Sequence, residues 1–547
     1  MKNRNNAPAK LIGLIVTLFT CLCAHAQTGN TATGYQALSS ITTGDDNTAD
    51  GYQALLIDSS GRYNTAVGYL VLSSNTTGGD NTAVGFSSLA SNTDGFANTA
   101  IGLGTLTSNT SGTFNTASGF EALYLNTKGN QNSAFGFNAL FSNLTGSFNT
   151  AIGSDALSLN VTGTNNTAVG SGALSLNVTG INNTAAGAGA LSNDIGQDNT
   201  AIGYNALHSN ASGIQNTAVG SGALFSEVGN EPNSSYGSAN VAVGYQALYF
   251  NTAGNENTAM GTQALYSNSL AALNTAIGFN ALVSETSGYG NTAVGAESLI
   301  ADTSGGYNTA CGTQTLYYNT TGSDNVAYGS GALNANITGS NNTAYGPIAL
   351  GHNINGSNNI AIGFNAGNSP SFGSNNIDIG NQGESGDNAE IRIGAQGTQA
   401  QTFIAGIFGA AVTGSPVVVN SSGQIGVAPS SQRFKSDVQD MGSASEAILA
   451  LRPVTFRYKP EIDPKGTPQF GLVAEEVEKI SPDLVTRDAK GQIFTVRYDA
   501  VNAMLLNEFR KQYEIVREQQ AEITALTARL DALEKATANK PEVSRRL

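Results

Sequence analysis

Residues 98–131 have the sequence NTAIGLGTLTSNTSGTF followed by NTASGFEALYLNTKGNQ, which are two consecutive units of seventeen residues. The pattern Asn-Thr-Ala-x-Gly-x-x-Ala-Leu-x-x-Asn-x-x-Gly-x-x occurs in 21 units between residues 30 and 380. One single-residue deletion precedes Asn199, and one seven-residue insertion lies between Asn216 and Asn240. Short units at a fixed period are typical of solenoids, in which each coil contacts only its neighbours. The repeat therefore predicts a stack of 21 coils.

The fixed positions of the unit indicate which side chains face inward. Position five is Gly in all 21 units, position three is Ala in 20 and position nine is Leu in 19, whereas position four varies freely. In a β-strand, positions one, three and five share a face and position four points the other way. The sequence therefore predicts a mainly β protein, a parallel β-solenoid or β-roll with Asn, Ala and Gly inside. The Ala-Leu half of each unit fits either a second short strand or one helical turn.

The composition separates two parts of the chain. Of 547 residues, 66 are Gly and only 12% are charged, which is unlike a typical multi-domain enzyme. Residues 27–429 carry three cations and 21 acidic residues, for a net charge of −18, whereas residues 430–547 carry 18 of each sign. A segment so poor in cations cannot release counterions from a phosphate backbone, so nucleic acid is excluded as a partner.

The N-terminus has the features of a secretory signal. Residues 1–26 contain a basic start with Lys2, Arg4 and Lys10, then an apolar run from Leu11 to Cys23, and an Ala-His-Ala ending. The apolar run is too short to span a membrane. We therefore predict cleavage between Ala26 and Gln27, export to the extracellular space or the cell surface, and no transmembrane anchor.

Cysteine and histidine are scarce after this leader. Cys311 is the single cysteine, and His208 and His352 are the two histidines. Thiolate clusters and multi-histidine zinc sites are thereby excluded, and we predict no cofactor and no metal site. Four aspartates precede a repeat Asn and could suggest calcium, but their sporadic spacing favours solvated surface charge; they are Asp46, Asp80, Asp198 and Asp324.

The repeats resemble the head repeats of trimeric autotransporter adhesins, whose Asn-Ser/Thr-Ala-x-x-Gly units form a left-handed parallel β-roll wound as a trimer. The resemblance covers residues 30–380. It implies that this chain forms a homotrimer. A thin column of seventeen-residue coils also gains stability by packing side by side with other copies.

The remainder of the chain is divided further. Residues 1–26 are the signal, 27–380 the shaft, 381–429 a neck with short strands such as Glu390–Ile393, and 430–498 a small α+β domain. In that domain the pattern predicts a helix near 445–451 and strands near 454–458, 470–474 and 493–498. Residues 499–535 are predicted as one long helix, and 536–547 as a disordered tail.

The long helix has a heptad pattern. Position a is occupied by Asn502, Phe509, Val516, Ile523 and Leu530, and position d by Leu505, Gln512, Gln519, Leu526 and Leu533. Five heptads with two glutamine layers predict a coiled coil, and polar layers fix register and oligomer state. The alternative is a lone amphipathic helix that packs on its own domain.

Residues 430–535 resemble the intramolecular chaperone domain of phage endosialidases and other tail spikes. The resemblance rests on three segments, 430–435 (SSQRFK), 451–458 (LRPVTFRY) and 471–477 (GLVAEEV), the last leading to Pro482. It implies a domain that drives trimer assembly and then cuts itself off with a Ser-Lys dyad, here Ser430 and Lys435. Ser431 stands where that family usually has Asp.

The chemistry of such a dyad can be argued from the residues. A serine hydroxyl needs a base to take its proton, and Lys435 could serve if burial lowered its pKa. Attack of Ser430 on the carbonyl of Pro429 would convert the amide to an ester, and hydrolysis would release residues 430–547. Because residues five apart share no face of a straight strand or helix, the motif must bend, or the dyad must form on assembly. The alternative is a solvated Ser-rich linker.

The sequence thus predicts a secreted trimeric fibre with an adhesin-like shaft, a self-cleaving chaperone domain and a glycan or protein receptor on another surface. It predicts an autoproteolytic serine endopeptidase that acts once in cis, with no activity in trans. Two alternatives are a glycan-degrading spike and a phage-derived tail fibre. For the former, the insertion at residues 227–238, with Glu227, Glu231 and Tyr236, is the local irregularity that could host paired carboxylates.

Overall fold

A computed structural model describes residues 28–210, 212–226, 237–369, 373–399, 401–405, 407, 413–420, 422–488 and 490–538. The predicted leader with Ala26 and Gln27 lies outside the described residues, as do Glu227, Glu231 and Tyr236. The chain forms two compact units, which divide between Gln399 and Ala400.

The first unit is a parallel β-solenoid with one three-residue strand per coil. Each strand pairs in parallel with the strand of the next coil, in a register that places Thr on Thr and Ala on Ala, as in Thr65↔Thr82 and Ala66↔Ala83. This arrangement confirms the predicted fold class. The first 21 strands are β1 Thr31–Thr33, β2 Thr48–Asp50, β3 Thr65–Val67, β4 Thr82–Val84, β5 Thr99–Ile101, β6 Thr116–Ser118, β7 Ser133–Phe135, β8 Thr150–Ile152, β9 Thr167–Val169, β10 Thr184–Ala186, β11 Thr200–Ile202, β12 Thr217–Val219, β13 Val241–Val243, β14 Thr258–Met260, β15 Thr275–Ile277, β16 Thr292–Val294, β17 Thr309–Cys311, β18 Val326–Tyr328, β19 Thr343–Tyr345, β20 Ile360–Ile362 and β21 Ile377–Ile379.

The interior of the coils holds the residues that the repeat keeps constant. Ala134 at position three, Ala139 at position eight and Leu140 at position nine are fully buried, and so is Asn132 at position one. The asparagines form a ladder, because Asn132 Nδ2 donates to Asn115 Oδ1 at 3.1 Å and the backbone N–H of Asn132 donates to the same oxygen at 3.0 Å. Position four faces outward, as predicted.

The Ala-Leu half of each coil is neither a strand nor a helical turn, but a series of tight turns. Leu140 has φ +54° and Asn138 has φ +53°, both in the left-handed region that side chains rarely adopt. The Leu140 N–H donates to the Ala156 carbonyl of the next coil at 2.9 Å, and the Asn143 N–H donates to Leu140 at 3.2 Å. Bonds between coils and burial of the leucine hold this conformation.

The parallel sheet continues one strand beyond residue 380. Strand β22, Ile391–Ile393, pairs with β21 and lies in the segment predicted as a neck. Its central residue Arg392 is in register with Asp378, which in turn is in register with Ala361. The alanine ladder therefore ends in two charged side chains, as expected for a terminal repeat that no further coil covers.

The second unit is a small α+β arrangement followed by one long helix. It contains antiparallel pairs of β23 Val418–Val419 with β24 Ile425–Gly426, β25 Val454–Phe456 with β26 Gln469–Gly471, and β27 Val485–Arg487 with β28 Ile493–Val496. Helix α1 is Ala474–Ile480 and helix α2 is Tyr498–Ala538. Three 3-10 segments are Gln432–Phe434, Gly442–Ala450 and Pro482–Leu484.

These elements agree with most of the predicted ones. The helix expected near 445–451 is the 3-10 helix Gly442–Ala450, and the long helix begins one residue earlier and ends three residues later than predicted. Helix α1 begins where the sequence pattern placed the end of a strand. The core of this unit is small and consists of Ile448, Val477, Leu484, Val496, Val501 and Met504.

None of the described helices is both long enough and apolar enough to span a lipid bilayer.

Candidate functional site

The predicted dyad lies at the start of the second unit's charged segment. Ser430 is in an irregular stretch, and Lys435 follows the 3-10 turn Gln432–Phe434 directly. The turn bends the chain, because the Phe434 N–H donates to the Ser431 carbonyl at 3.0 Å and the Lys435 N–H donates to Gln432 at 3.1 Å. A bend between serine and lysine is what the five-residue spacing requires.

The dyad is not assembled within the single chain. Ser430 and Lys435 are both exposed, as is Pro429. Among the described residues no hydrogen bond joins the two side chains. Inside the turn, the Arg433 guanidinium lies 4.6 Å from the centre of the Phe434 ring, which is itself 60% exposed. The segment thus presents an aromatic ring, a cation and both dyad residues on an open surface.

Two contacts connect the other motif segments of this domain. Arg452 donates from Nε and Nη2 to the two carboxylate oxygens of Glu476, at 3.0 and 2.6 Å, which raises the pKa of Arg452 and lowers that of Glu476. The backbone N–H of Leu472 donates to the Tyr498 hydroxyl at 3.0 Å. The start of α1 and the start of α2 are thereby held to the strand pair β25–β26.

A buried polar cluster fastens the 3-10 helix to α2, and the sequence pattern did not reveal it. Ser445 is fully buried, and its Oγ donates to Glu508 Oε1 at 2.5 Å and accepts from Asn507 Nδ2 at 2.7 Å. Lys511 Nζ contacts the same Glu508 oxygen at 2.8 Å and Glu446 at 3.2 Å. The hydrogen bond from Lys511 is the main cause of the lowered pKa of Glu508. The sequence signal for this cluster was a polar residue, Glu508, on one face of α2.

Beyond its first three turns, α2 has no partner within this unit's core. Its buried residues are Val501, Met504 and Glu508. The apolar residues of the predicted heptad seam are instead between 52% and 70% exposed; these are Leu505, Phe509, Val516, Ile523, Leu526, Leu530 and Leu533. A helix that exposes an apolar seam, here interrupted by Gln512 and Gln519, gains stability when that seam is covered.

The cysteine, histidines and aspartates singled out in the shaft are distributed over several coils. Cys311 is half-buried at the outward position four, and Asp46, Asp80, Asp198 and Asp324 are all exposed. His208 stacks on Phe225 and has its pKa lowered by burial, while His352 Nδ1 lies 2.9 Å from the Asn368 carbonyl. Within the described ranges no three His, Cys, Asp or Glu side chains come together as metal ligands.

Together the fold and this C-terminal unit define a class of protein: a fibre-like β-solenoid that carries a separate assembly module. Residues 430–486 match the family described as chaperone of endosialidase. The matched segment begins at the predicted nucleophile Ser430 and ends within strand β27. It confirms the predicted resemblance of the C-terminal domain and supports a chaperone role in assembly. No curated protein is similar to the chain at a significant level.

Proposed function

We propose that this protein is a secreted homotrimeric fibre whose C-terminal domain assembles three shafts and then removes itself by cutting before Ser430. The observation that carries the proposal is the exposed heptad seam of α2, attached to a domain that matches a chaperone family. A chaperone that joins chains needs a surface that is satisfied only in the assembly, and this seam is such a surface. The shaft then acts as an adhesin-like element against a glycan or protein receptor.

The outer face of the solenoid sheet supports side-by-side packing of the shafts. Position four is occupied by an apolar residue in 19 of the 22 strands, and these side chains are exposed or half-buried. Ile152, Ile202 and Ile277 are typical, each 38% to 45% exposed. Position two, which lies on the same face of each strand, is mostly Thr, so the described strip bears one charged residue, Asp50. The shaft as a whole, residues 27–380, has a net charge of −16. An apolar strip of this length indicates an interface.

The occupant that fits this strip is a second copy of the same shaft. Two copies have the same repeat and therefore the same spacing between coils, so apolar residues can meet in every coil. The scarcity of charge on the strip lets two strongly acidic shafts approach along that face without like-charge repulsion. The heptad seam of α2 favours the same partner independently.

Self-cleavage in this proposal depends on the assembly. In the single chain, Ser430 and Lys435 are exposed and not hydrogen-bonded to each other, so nothing activates the hydroxyl. Burial of Lys435 against a neighbouring chain would disfavour its charged form and allow it to accept the Ser430 proton. The Ser430 oxygen bonds to the Pro429 carbonyl carbon, the bond from that carbon to the Ser430 nitrogen breaks, and Lys435 passes the proton to the departing amine. Water then hydrolyses the resulting ester, which frees the Ser430 hydroxyl and leaves a carboxylate on Pro429. Cleavage would therefore follow trimer formation.

Trimer formation is tested by light scattering on residues 27–547 after size-exclusion chromatography. In the Ser430→Ala background, where the chain stays intact, the mass should be three times that of the chain, and a monomer would overturn the proposal. Leu526→Lys in the seam and Ile152→Lys in the strip should each reduce assembly, since three like charges would meet. Leu159→Lys is the matched control, because Leu159 is 42% exposed on another face of the same coil.

Cleavage is tested separately by mass spectrometry of the secreted protein. Wild type should give a fragment of residues 430–547, and Ser430→Ala and Lys435→Met should retain the full mass while still forming trimers. Ser431→Ala is the control that should cleave. Absence of the fragment from wild-type trimers would refute self-cleavage and leave the assembly role in place.

A further inference from the structure

A second asparagine ladder runs through the solenoid at position twelve of the repeat. In a regular coil, Asn92 Nδ2 donates to Asn75 Oδ1 of the preceding coil at 2.8 Å and to the Gly95 carbonyl at 3.0 Å. Asn109 repeats both bonds, to Asn92 at 2.8 Å and to Gly112 at 3.0 Å. Each amide NH₂ thus serves two buried acceptors, and the ladder depends on a donor at this position in every coil.

Among the described residues, four coils place a carboxyl group in this ladder. Asp58, Asp194, Glu285 and Asp302 occupy position twelve, and all four are fully buried. A carboxylate has two acceptor oxygens and no donor, so it cannot make the bonds of the asparagine amide that it replaces. A buried carboxylate that lacks donors is strongly disfavoured in its charged form.

The consequence is clearest at Asp194. Its Oδ1 acts as the asparagine oxygen does, accepting from the Gly196 N–H at 2.8 Å and from Asn210 Nδ2 at 2.8 Å. Its Oδ2 is buried with no hydrogen-bond partner. Asn177, one coil earlier, has an Oδ1 that is also buried and unpartnered. In a regular coil, the amide at position twelve donates to the Oδ1 of the preceding coil. Asp194 has no such donor hydrogen, so the Oδ1 of Asn177 lacks its hydrogen-bond partner.

Asp302 and its neighbour repeat the defect. Asp302 Oδ1 accepts from the Gly305 N–H at 2.9 Å, and its Oδ2 is buried without a partner. The preceding coil places Glu285 at the same ladder position, and one coil before that the Oδ1 of Asn268 is buried and unpartnered. Two acidic coils in succession thus remove two amide donors from the ladder.

We propose that Asp194 and Asp302 are proton-binding sites of the shaft, each holding a hydrogen on Oδ2 that donates along the position-twelve ladder. In this state the carboxylic acid replaces the asparagine NH₂ with an O–H. Loss of the proton to water leaves a buried anion among carbonyl oxygens, which weakens the coils on either side. The coils around Asp194 and Asp302 are thereby more stable at low pH and become less stable as the pH rises.

The electrostatic surroundings support this assignment. Burial raises the pKa of Asp194 to about 7, and burial together with the charge of Glu285 raises that of Asp302 to about 8. Glu285 is the charged group that faces Asp302, whereas the side chains that act on Asp194 are the neutral amides of Asn199 and Asn210. Because the folded pKa values lie above the usual 3.8, the stabilisation is complete below pH 4 and is lost as the pH rises through 7 to 8.

Hydrogen exchange of the full-length protein tests the proposal between pH 4 and 9, after correction for the intrinsic exchange rate. Amides of the coils around residues 177–210 and 285–319 should lose protection with rising pH, by about tenfold per pH unit where the loss is steepest. Asp194→Asn and Asp302→Asn place the ladder's own residue at these positions. Each variant should fold, keep the protection of its own coils to pH 9 and lose its own contribution to the infrared absorption of buried carboxylic acids.

The control variants are Asp80→Asn and Asp324→Asn. These remove the same charge from exposed residues and should leave the pH dependence of the wild type unchanged. Equal pH dependence in Asp194→Asn and wild type, or absence of the carboxylic acid band from wild type at pH 5, would overturn the proposal. The outcome is independent of trimer formation and of cleavage at Ser430.

Discussion

Arg392 donates two hydrogen bonds to the carboxylate of Asp387, from Nε to Oδ2 at 2.7 Å and from Nη2 to Oδ1 at 2.8 Å. This pair lies at the last strand of the solenoid, where Arg392 is in register with the buried Asp378. Arg392 lowers the pKa of Asp387, whereas burial and the charge of Asp387 raise the pKa of Asp378 to about 6. One guanidinium therefore compensates the acidic layer that ends the apolar column.

Arg392→Leu should loosen the final coils of the shaft. The substitution leaves Asp387 and Asp378 without their cation, and we expect a loss of about 1–3 kcal/mol in local stability. Hydrogen exchange of residues 373–394 measures this loss. Arg62→Leu is the control, because Arg62 lies 3.9 Å from Asp45 at an exposed site, where a pair contributes little. Equal protection in both variants would contradict the assigned role of Arg392.

Gly170→Ala should disrupt the solenoid locally, whereas Gly172→Ala, two residues away, should be tolerated. A Cβ on Gly170 would lie 2.5 Å from the Gly187 carbonyl oxygen, at φ +137°. Gly172 has φ +66° and nothing within 4 Å of an added Cβ, and its position is occupied by Gln, Asn or Asp in other coils. We expect a cost of about 1 kcal/mol for Gly172→Ala and several times that for Gly170→Ala.

Thermal unfolding followed by circular dichroism compares the two glycine variants. Gly170→Ala should lower the melting temperature clearly more than Gly172→Ala does. Equal melting temperatures for the two variants would contradict the conclusion that close stacking of the coils requires glycine at position five.

Asn115→Ala should weaken the position-one ladder. Asn115 Nδ2 donates to Asn98 Oδ1 at 3.1 Å and to the Gly129 carbonyl at 2.9 Å, and its Oδ1 accepts from the Asn132 N–H at 3.0 Å. Removing these bonds leaves buried groups unpaired, at a cost of about 2–4 kcal/mol. Denaturant unfolding measures this loss in the free energy of unfolding.

The matched control for the ladder is Asn355→Ala. Asn355 is exposed and accepts one hydrogen bond from Thr338 at 2.9 Å, so its removal should change stability by less than about 0.5 kcal/mol. A loss as large as that of Asn115→Ala would mean that burial of the ladder amides is not what makes them stabilising.

The repeat predicted the coils, their parallel stacking and the inward face, because a residue such as Asn115 recurs every seventeen positions and only stacking aligns it. It left the Ala-Leu half open, since the left-handed backbone of Leu140 is decided by a bond to Ala156 in the next coil rather than by local preference. Strand β22 lacks the Asn-Thr-Ala pattern and was placed in the neck. The acidic residues at position twelve, such as Asp194, were missed because their burial depends on a ladder visible only in three dimensions.

The dyad of Ser430 and Lys435 remains a prediction for a similar reason. Its resemblance is local in sequence, whereas activation of a serine requires a buried base. In the single chain both residues are exposed, and the surface that would bury them belongs to neighbouring chains in the proposed trimer. The single-chain sequence pattern therefore cannot specify that environment.

Glu508→Gln should weaken the C-terminal unit near neutral pH and remove part of its sensitivity to acid. Glu508 accepts from Ser445 Oγ at 2.5 Å and from Lys511 Nζ at 2.8 Å, and these bonds lower its pKa below the usual 4.5. Because the folded pKa is depressed, the stabilisation is present above pH 4.5 and is lost as the pH falls through the folded value. This direction is opposite to that proposed for the shaft.

Hydrogen exchange of residues 442–451 and 498–511 between pH 3 and 7 measures the effect of this substitution. Wild type should lose protection toward pH 3, and Glu508→Gln should start lower at pH 7 and change less. Glu514→Gln is the control, since Glu514 lies on the same helix and pairs with Arg517 at 2.8 Å, at an exposed site. If Glu514→Gln changed the acid dependence as much as Glu508→Gln, general helix charge rather than the Ser445 contact would hold the 3-10 helix to α2.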